Sequence, residues 1–246
     1  MPGLLLAGLL SSLMLSAPSA DAAKKEPTVQ ERYDKGQKYL KRGYYVKALE
    51  EFNRIRNYHR DDPMALKAEL AIADVYFKKA EWDQARIAYE DFMRMHPRHE
   101  DLDYVVFRLG MTSFKKSPRI AARDQTWTRQ AVNAWSGFDN RYPSSDHSTE
   151  VADNLQKCRD RLARKEYQIG EFYSNRAAWP AAKARMEQVL RQYPNSDSVP
   201  DALALLALSQ YNLGEQDAAR EAVTRLREDH PDARSLKMLA RKAPEL

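Results

Sequence analysis

Two histidines and three carboxylates crowd one short stretch of this 246-residue chain: His96, His99, Glu100, Asp101 and Asp103. The order His-x-x-His-Glu can ligate a divalent metal when a helix aligns the side chains. Here Pro97 breaks such a helix and no third histidine is near, so packing and capping are the expected roles. No metal, cofactor or catalytic residue is expected. The single cysteine, Cys158, lies in Asn154-Leu155-Gln156-Lys157-Cys158-Arg159, which excludes an internal disulfide and a multi-cysteine metal site. A small apolar role inside a helix is expected for it. There is no glycine-rich phosphate loop, no Gly-x-Ser-x-Gly elbow and no Cys/His pairing. A hydrolase would lack its nucleophile, and the chain reads as a binding protein, not an enzyme.

Recognition chemistry is better represented. Tyr33, Gln37, Leu40 and Lys41, then Leu70, Asp74, Phe77 and Lys78, then Tyr104, Phe107, Met111 and Phe114 mix aromatics with cations. Aromatic pockets bury a partner's apolar side chains, and a Lys or Arg pairs with a carboxylate. The same aromatics have a second reading, as packing between helices, which periodicity alone does not separate from the first.

These residues are placed by a repeat. Small residue, Ala, bulky residue and Pro recur as Gly36/Ala48/Phe52/Pro63, Ala73/Ala85/Tyr89/Pro97, Gly110/Ala131/Trp135/Pro143, Gly170/Ala182/Met186/Pro194 and Ala207/Ala219/Val223/Pro231. The small residue precedes the Ala by twelve positions in four repeats and by twenty-one in the third, which therefore carries a nine-residue insertion. This is the pattern of tetratricopeptide-type helical hairpins. The expected fold is all-α, a solenoid of about five hairpins, with first helices lining the concave face. Small side chains let paired helices approach, and Phe52, Tyr89 and Trp135 are expected to fill the space between one hairpin and the next. Gly43 and Gly214 suit turns after a helix C-terminus. His96-Pro97, Tyr142-Pro143, Tyr193-Pro194 and His230-Pro231 end the second helices.

Apolar periodicity at Val151, Leu155, Leu162, Ile169 and Phe172 predicts one long helix over Ser148–Asn175, with Ser144-Ser145-Asp146 offering N-cap side chains. The insertion Lys115–Thr128 is polar and basic, and a loop of that size is either functional or mobile. Net charge is +5. Lys and Arg are interspersed with acids, which fits a solvated helical surface, or attraction to acidic partners or an anionic membrane surface. No basic stripe interleaved with aromatics points to nucleic acid.

Leu4–Leu15 is nearly all apolar and leads into Ser16-Ala17-Pro18-Ser19-Ala20-Asp21-Ala22, an Ala-x-Ala cleavage pattern. Residues 1–22 are thus expected to be a signal peptide, although no basic residue precedes Lys24. Residues 23–143 would form three N-terminal hairpins holding the groove, and 144–246 two C-terminal hairpins.

Three stretches resemble the BamD family, the tetratricopeptide component of the outer-membrane β-barrel assembly machinery. They are Gly43–Phe52, His96–Gly110, and Arg141–Ser145 through Arg161–Glu166 and Glu171–Trp179 to Arg191–Ser196. The resemblance covers about residues 28–231. It implies a periplasmic scaffold at the inner face of the outer membrane. The N-terminal hairpins would receive C-terminal signals of unfolded barrel proteins, which often end in an aromatic residue and a free carboxylate. The C-terminal hairpins would dock on the periplasmic domain of a BamA-like subunit through a surface containing Arg176, Trp179, Arg185 and Glu187. The family's acylated Cys, directly after the signal, has no counterpart near residue 22, so a lipid anchor is not carried over by the resemblance, and the chain is expected to be held at the membrane through partners or to be soluble. The alternative is a soluble periplasmic adaptor in cell-envelope or division complexes.

Overall fold

The structure, a computed structural model, describes residues 26–245. The expected signal peptide lies outside the described residues. Twelve α-helices and no strand occur among the described residues. Hairpin one is α1 (Val29–Lys41) and α2 (Tyr45–Tyr58), and hairpin two is α3 (Met64–Lys78) and α4 (Trp82–Met95). Hairpin three is α5 (Leu102–Lys116) with α6 (Thr126–Trp135), extended by the short α7 (Phe138–Arg141). Hairpin four is α8 (Ser148–Ser174) and α9 (Trp179–Gln192), and hairpin five is α10 (Val199–Asn212) and α11 (Gln216–Asp229). A final helix, α12 (Arg234–Lys242), follows the last repeat and lies on α10, burying Leu239. Its four-residue apolar period is short, and the repeat pattern gave no sign of it.

The chain is therefore the expected solenoid. Successive helices pack on one another from α1 to α6 and from α8 to α11, α6 packs on α8, and the first helices α1 and α3, α5 and α8, and α8 and α10 also touch. First helices thus line the inner face, and the second helices lie outside them. On the outer side a hollow of about 400 Å³ opens between α2 and α4 over Ile72, Tyr76 and Phe92.

The small residues work as expected, but their partners are nearer than the repeat suggested. Phe52 and Trp135 fill the crossing inside their own hairpin as well as the gap to the next. A methyl placed on Gly36 would lie 2.6 Å from the Phe52 ring, and one on Gly110 would lie 2.1 Å from the Trp135 indole. Trp135 Nε1 also donates to the Phe107 carbonyl at 3.2 Å. The chain can approach this closely only where Cβ is missing.

Gly43 and Gly214 hold φ +77° and +79° in the turns of hairpins one and five. The equivalent turns of hairpins two and four place Ala80 at φ 62° and Ala177 at φ 55°. A Cβ in the left-handed region costs roughly 1–2 kcal/mol, part of which glycine returns as greater freedom in the unfolded chain. Ala80→Gly and Ala177→Gly are each expected to stabilise the protein by about 0.5–1 kcal/mol, read from chemical denaturation.

Helix α8 has 27 residues, as its period predicted. Its N-cap is His147, with no side-chain cap. None of the expected cap residues Ser144, Ser145 and Asp146 caps it; Ser145 instead donates from Oγ to Asp103 Oδ2 at 2.6 Å while accepting the His147 amide. Val151, Leu155 and Cys158 complete the middle core with Tyr89 and Trp135, whereas Ala163 and Tyr167 belong to the C-terminal core with Met186 and Leu203. A division at residue 143 therefore separates the first half of α8 from the core it closes. Phe172, expected on the apolar face, is 50% exposed with the Arg176 guanidinium 3.5 Å from its ring.

The insertion is shorter as a loop than its sequence implied, because α5 runs to Lys116 and α6 starts at Thr126. It is also built into the array. Gln125 is fully buried, donates to the Ile120 carbonyl at 2.9 Å and accepts from Thr128 Oγ1. Arg161 donates to Ser117 Oγ at 2.6 Å and Lys165 to the Arg123 carbonyl at 3.3 Å, tying the loop to α8.

Candidate functional site on the inner face

Three consecutive first helices, α1, α3 and α5, carry the residues proposed for a groove. Side chains of α3, α4 and α5 meet around Asp74. Its Oδ1 accepts from Tyr89 OH at 2.6 Å and from Tyr104 OH at 2.7 Å. Arg108 Nε donates to Tyr104 OH at 2.9 Å and lies 3.6 Å from Asp74 Oδ1. The Arg108 guanidinium carbon stacks 4.1 Å from the centroid of Phe77. The terminal nitrogens of Arg108 make no hydrogen bond among the described residues, and the side chain keeps 15% exposure. Arg108 is thus a clamped cation whose outer donors are unspent. It was missed in the sequence, although its i, i+4 spacing from Tyr104 was a usable sign.

Neighbouring side chains complete the surface. Tyr33 accepts from Gln37 Nε2 at 3.0 Å and packs 5.5 Å from Phe52. Leu40, Leu70 and Phe114 are half-buried against the cores. Phe77, Phe107 and Met111 are buried in the middle core, with Phe107 stacked on His147 at 4.4 Å. These three belong to the packing reading more than to an open pocket. Lys41 and Lys78 are exposed at the helix ends, outside the Asp74 cluster.

Burial raises the Tyr89 and Tyr104 hydroxyls well above the ordinary tyrosine value, and the Asp74 charge adds to the effect. Burial also raises Tyr167 to about 12 and the Cys158 thiol to about 11. The folded protein holds these protons more tightly than the unfolded chain does. For the tyrosines the stabilisation is complete below about pH 10 and is lost as pH climbs toward the folded values, by about 1.4 kcal/mol per pH unit for each tyrosine. In an alkaline titration, phenolate absorbance from these tyrosines is expected to appear together with loss of helical circular dichroism.

The other candidates lie apart. His96 Nε2 is 2.8 Å from Glu69, and both His96 and His99 pack on Phe92. No group of three or more metal-ligating side chains occurs among the described residues. In hairpin four, Arg185 is ion-paired within the chain to Glu166 at 2.7 Å. Trp179 packs against the C-terminal core, and Glu187 lies 4.0 Å from Lys183. Arg176 is exposed over Phe172, beside a hollow of about 390 Å³ lined by Ala122, Lys165, Gln168 and Ile169. The inner-face cluster and this surface are separate. No helix among the described residues is long and apolar enough to cross a membrane.

Comparison with known proteins gives a consistent picture. The sequence model of the YfiO family, described as outer membrane lipoprotein, matches residues 25–226. An outer membrane protein assembly factor, BamD, of Neisseria meningitidis serogroup A / serotype 4A is 27% identical over 203 residues, 79% of this chain and 76% of that protein. The BamD of Xylella fastidiosa strain 9a5c is 27% identical over 246 residues, covering 94% of this chain and 84% of the relative. Among solved structures, the TPR2AB domain of yeast Sti1 in its pHSP90 complex aligns with a TM-score of 0.46 at 15% identity, covering 83% of this chain and 78% of that one.

Proposed function

We propose that this chain, which belongs to the YfiO family of outer membrane lipoproteins, is an assembly factor for outer-membrane β-barrel proteins. It would act by binding, not by catalysis, at the periplasmic face of the outer membrane. The observation that carries this reading is the family match over most of the array, joined by relatives that are outer membrane protein assembly factors. The direct test is a pull-down from solubilised envelopes with the full chain as bait. Recovery of a BamA-like barrel subunit is expected. Recovery of division or peptidoglycan proteins in its place would favour the envelope-adaptor alternative.

Within that function we assign the client-binding role to the Asp74–Arg108 cluster. A client ending in an aromatic residue and a carboxylate finds complementary chemistry there. Free Arg108 donors face the carboxylate, and Tyr33, Leu70 and Tyr104 supply amphipathic walls. A charge-assisted bond of this kind is worth about 1.5–3 kcal/mol. Arg108→Gln is therefore expected to weaken a synthetic peptide with a free C-terminal carboxylate by about tenfold or more, and to leave the C-terminal amide unaffected. Equal affinity of the unmodified protein for the two peptides would defeat the assignment.

Docking of the barrel subunit is assigned to the hairpin-four surface bearing Arg176, Trp179, Arg185 and Glu187. Arg185 retains 37% exposure of its side chain while paired to Glu166, so it can serve both an internal and an external carboxylate. An Arg185→Glu chain is expected to lose co-purification with the barrel subunit. Normal recovery would remove Arg185 from that interface.

A further inference from the structure

The turn between α1 and α2 carries a surface that neither the inner face nor the hairpin-four docking face uses. From Lys35 to Leu49 the chain has five basic residues and no acidic one. Lys35 is held by Glu51 at 2.6 Å. Lys38, Lys41, Arg42 and Lys47 are exposed, and none forms an ion pair among the described residues. Between them stand two large side chains in water, Tyr44 at 54% and Val46 at 64% exposure. Lys47 Nζ lies 5.8 Å from the Tyr39 ring and 5.7 Å from the Tyr44 ring, so the cation is placed by the aromatics. A hollow of about 360 Å³ opens beside them, lined by Asp34, Gln37, Lys38, Lys41 and Arg42. Asp34, the carboxylate on its rim, already accepts Gln30 Nε2 at 2.9 Å.

Helix electrostatics explain part of this. Lys38 and Lys41 occupy the last turn of α1, where a cation is favoured. That leaves Arg42, Lys47 and the two exposed apolar side chains unaccounted for. Together they form an exposed patch at the turn where cations stand beside an amphipathic ring and an aliphatic side chain. Exposed cations and amphipathic side chains gathered at one turn suit contact with a charged plane. Lysine and arginine near such a plane meet headgroup phosphates, while tyrosine and an aliphatic neighbour sit at the boundary with the acyl chains.

We propose that the α1–α2 turn seats the protein directly on an anionic phospholipid surface. Lys38, Lys41, Arg42 and Lys47 bind the headgroups, and Tyr44 and Val46 enter the interface. This contact is made by the chain itself and needs no protein partner, so it stands or falls separately from client binding and barrel-subunit docking.

The test is flotation of the full chain with vesicles of phosphatidylcholine alone and of an equal mixture of phosphatidylcholine and phosphatidylglycerol. A Lys41→Glu/Arg42→Glu/Lys47→Glu variant and a Val46→Ser variant are run alongside. Any contribution of the apolar leader is common to all chains and cancels in the ratio. The unmodified chain is expected to prefer the anionic vesicles and to lose that preference as salt is raised. Each cation near the surface contributes about fivefold, so the triple variant is expected to bind about a hundredfold less. Val46→Ser is expected to weaken binding several-fold with the salt dependence intact. Equal flotation on both vesicle types would overturn the proposal, and so would a triple variant that binds like the unmodified chain. Unchanged vesicle binding with loss of an acidic protein partner would reassign the patch to that partner. The Val46→Ser arm keeps the test decisive if the triple variant folds poorly.

Discussion

Gly110→Ala is expected to destabilise the protein by about 3 kcal/mol, although the same change in an open helix would stabilise it by about 1 kcal/mol. The added methyl would lie 2.1 Å from Trp135 Nε1 and 2.2 Å from Cε2. Trp135 is fully buried, and its indole N–H is already committed to the Phe107 carbonyl. A rigid bicyclic side chain in a closed core cannot swing aside, so α5 and α6 must part and the hydrogen bond lengthens or breaks. Gly170→Ala is the control. Its methyl would meet the Met186 terminal carbon at 2.2 Å, yet that atom is the end of a flexible chain. Its effect is expected to stay within about 1 kcal/mol of zero, because helix propensity offsets the repacking. Equilibrium urea denaturation of the two variants makes the comparison. Equal losses at the two positions would mean that the nature of the facing side chain does not set the tolerance.

Asp74→Ala should also cost about 3 kcal/mol. It removes the acceptor shared by the Tyr89 and Tyr104 hydroxyls and the carboxylate beside Arg108. Tyr89 is buried in the middle core, and Arg108 keeps only 15% of its side chain exposed. Losses on breaking a buried pair run to about 3–5 kcal/mol, and the lower figure applies because Asp74 itself is 22% exposed and water can reach the vacated site. Asp74→Asn keeps the Oδ1 acceptor for both hydroxyls and loses the charge beside Arg108, so it should cost about half as much. The same variants separate stability from recognition. Asp74→Asn frees the Arg108 charge, so affinity for a peptide carboxylate should rise while the fold weakens. A parallel fall in both would make Asp74 a support of the pocket and not a competitor of the ligand.

The elements that sequence revealed are those in which one residue type answers one geometric need. Gly36, Gly110 and Gly170 mark close helix crossings, and prolines mark the ends of second helices. The length of α8 was legible because Val151, Leu155 and Leu162 keep a helical period without a break. What escaped is set by neighbours distant in the chain. Ala80 and Ala177 adopt a backbone that favours glycine, because the flanking helices impose the turn. Ser145 is a good cap by type, but Asp103 claims its hydroxyl from 42 residues away. Gln125 reads as a loop residue until the loop is seen to fold over it. In the candidate site, Asp74 and Tyr104 were found by their spacing from the small anchors. For Arg108 only the i, i+4 spacing from Tyr104 was legible, because Phe77 and Asp74, which complete the clamp, lie some thirty residues away on another helix.

Helix α8 has a mechanical consequence. In a simple stack of hairpins each unit can fray independently, and bending is shared among many soft joints. Here one continuous rod is embedded in two cores, with Val151, Leu155 and Cys158 gripping one end and Ala163 and Tyr167 the other. The joint between hairpins three and four is thereby splinted. A load on hairpin three therefore meets a continuous helix at this joint, and is expected to pass into hairpin four rather than be absorbed there. The middle and C-terminal cores thus turn on a single axle.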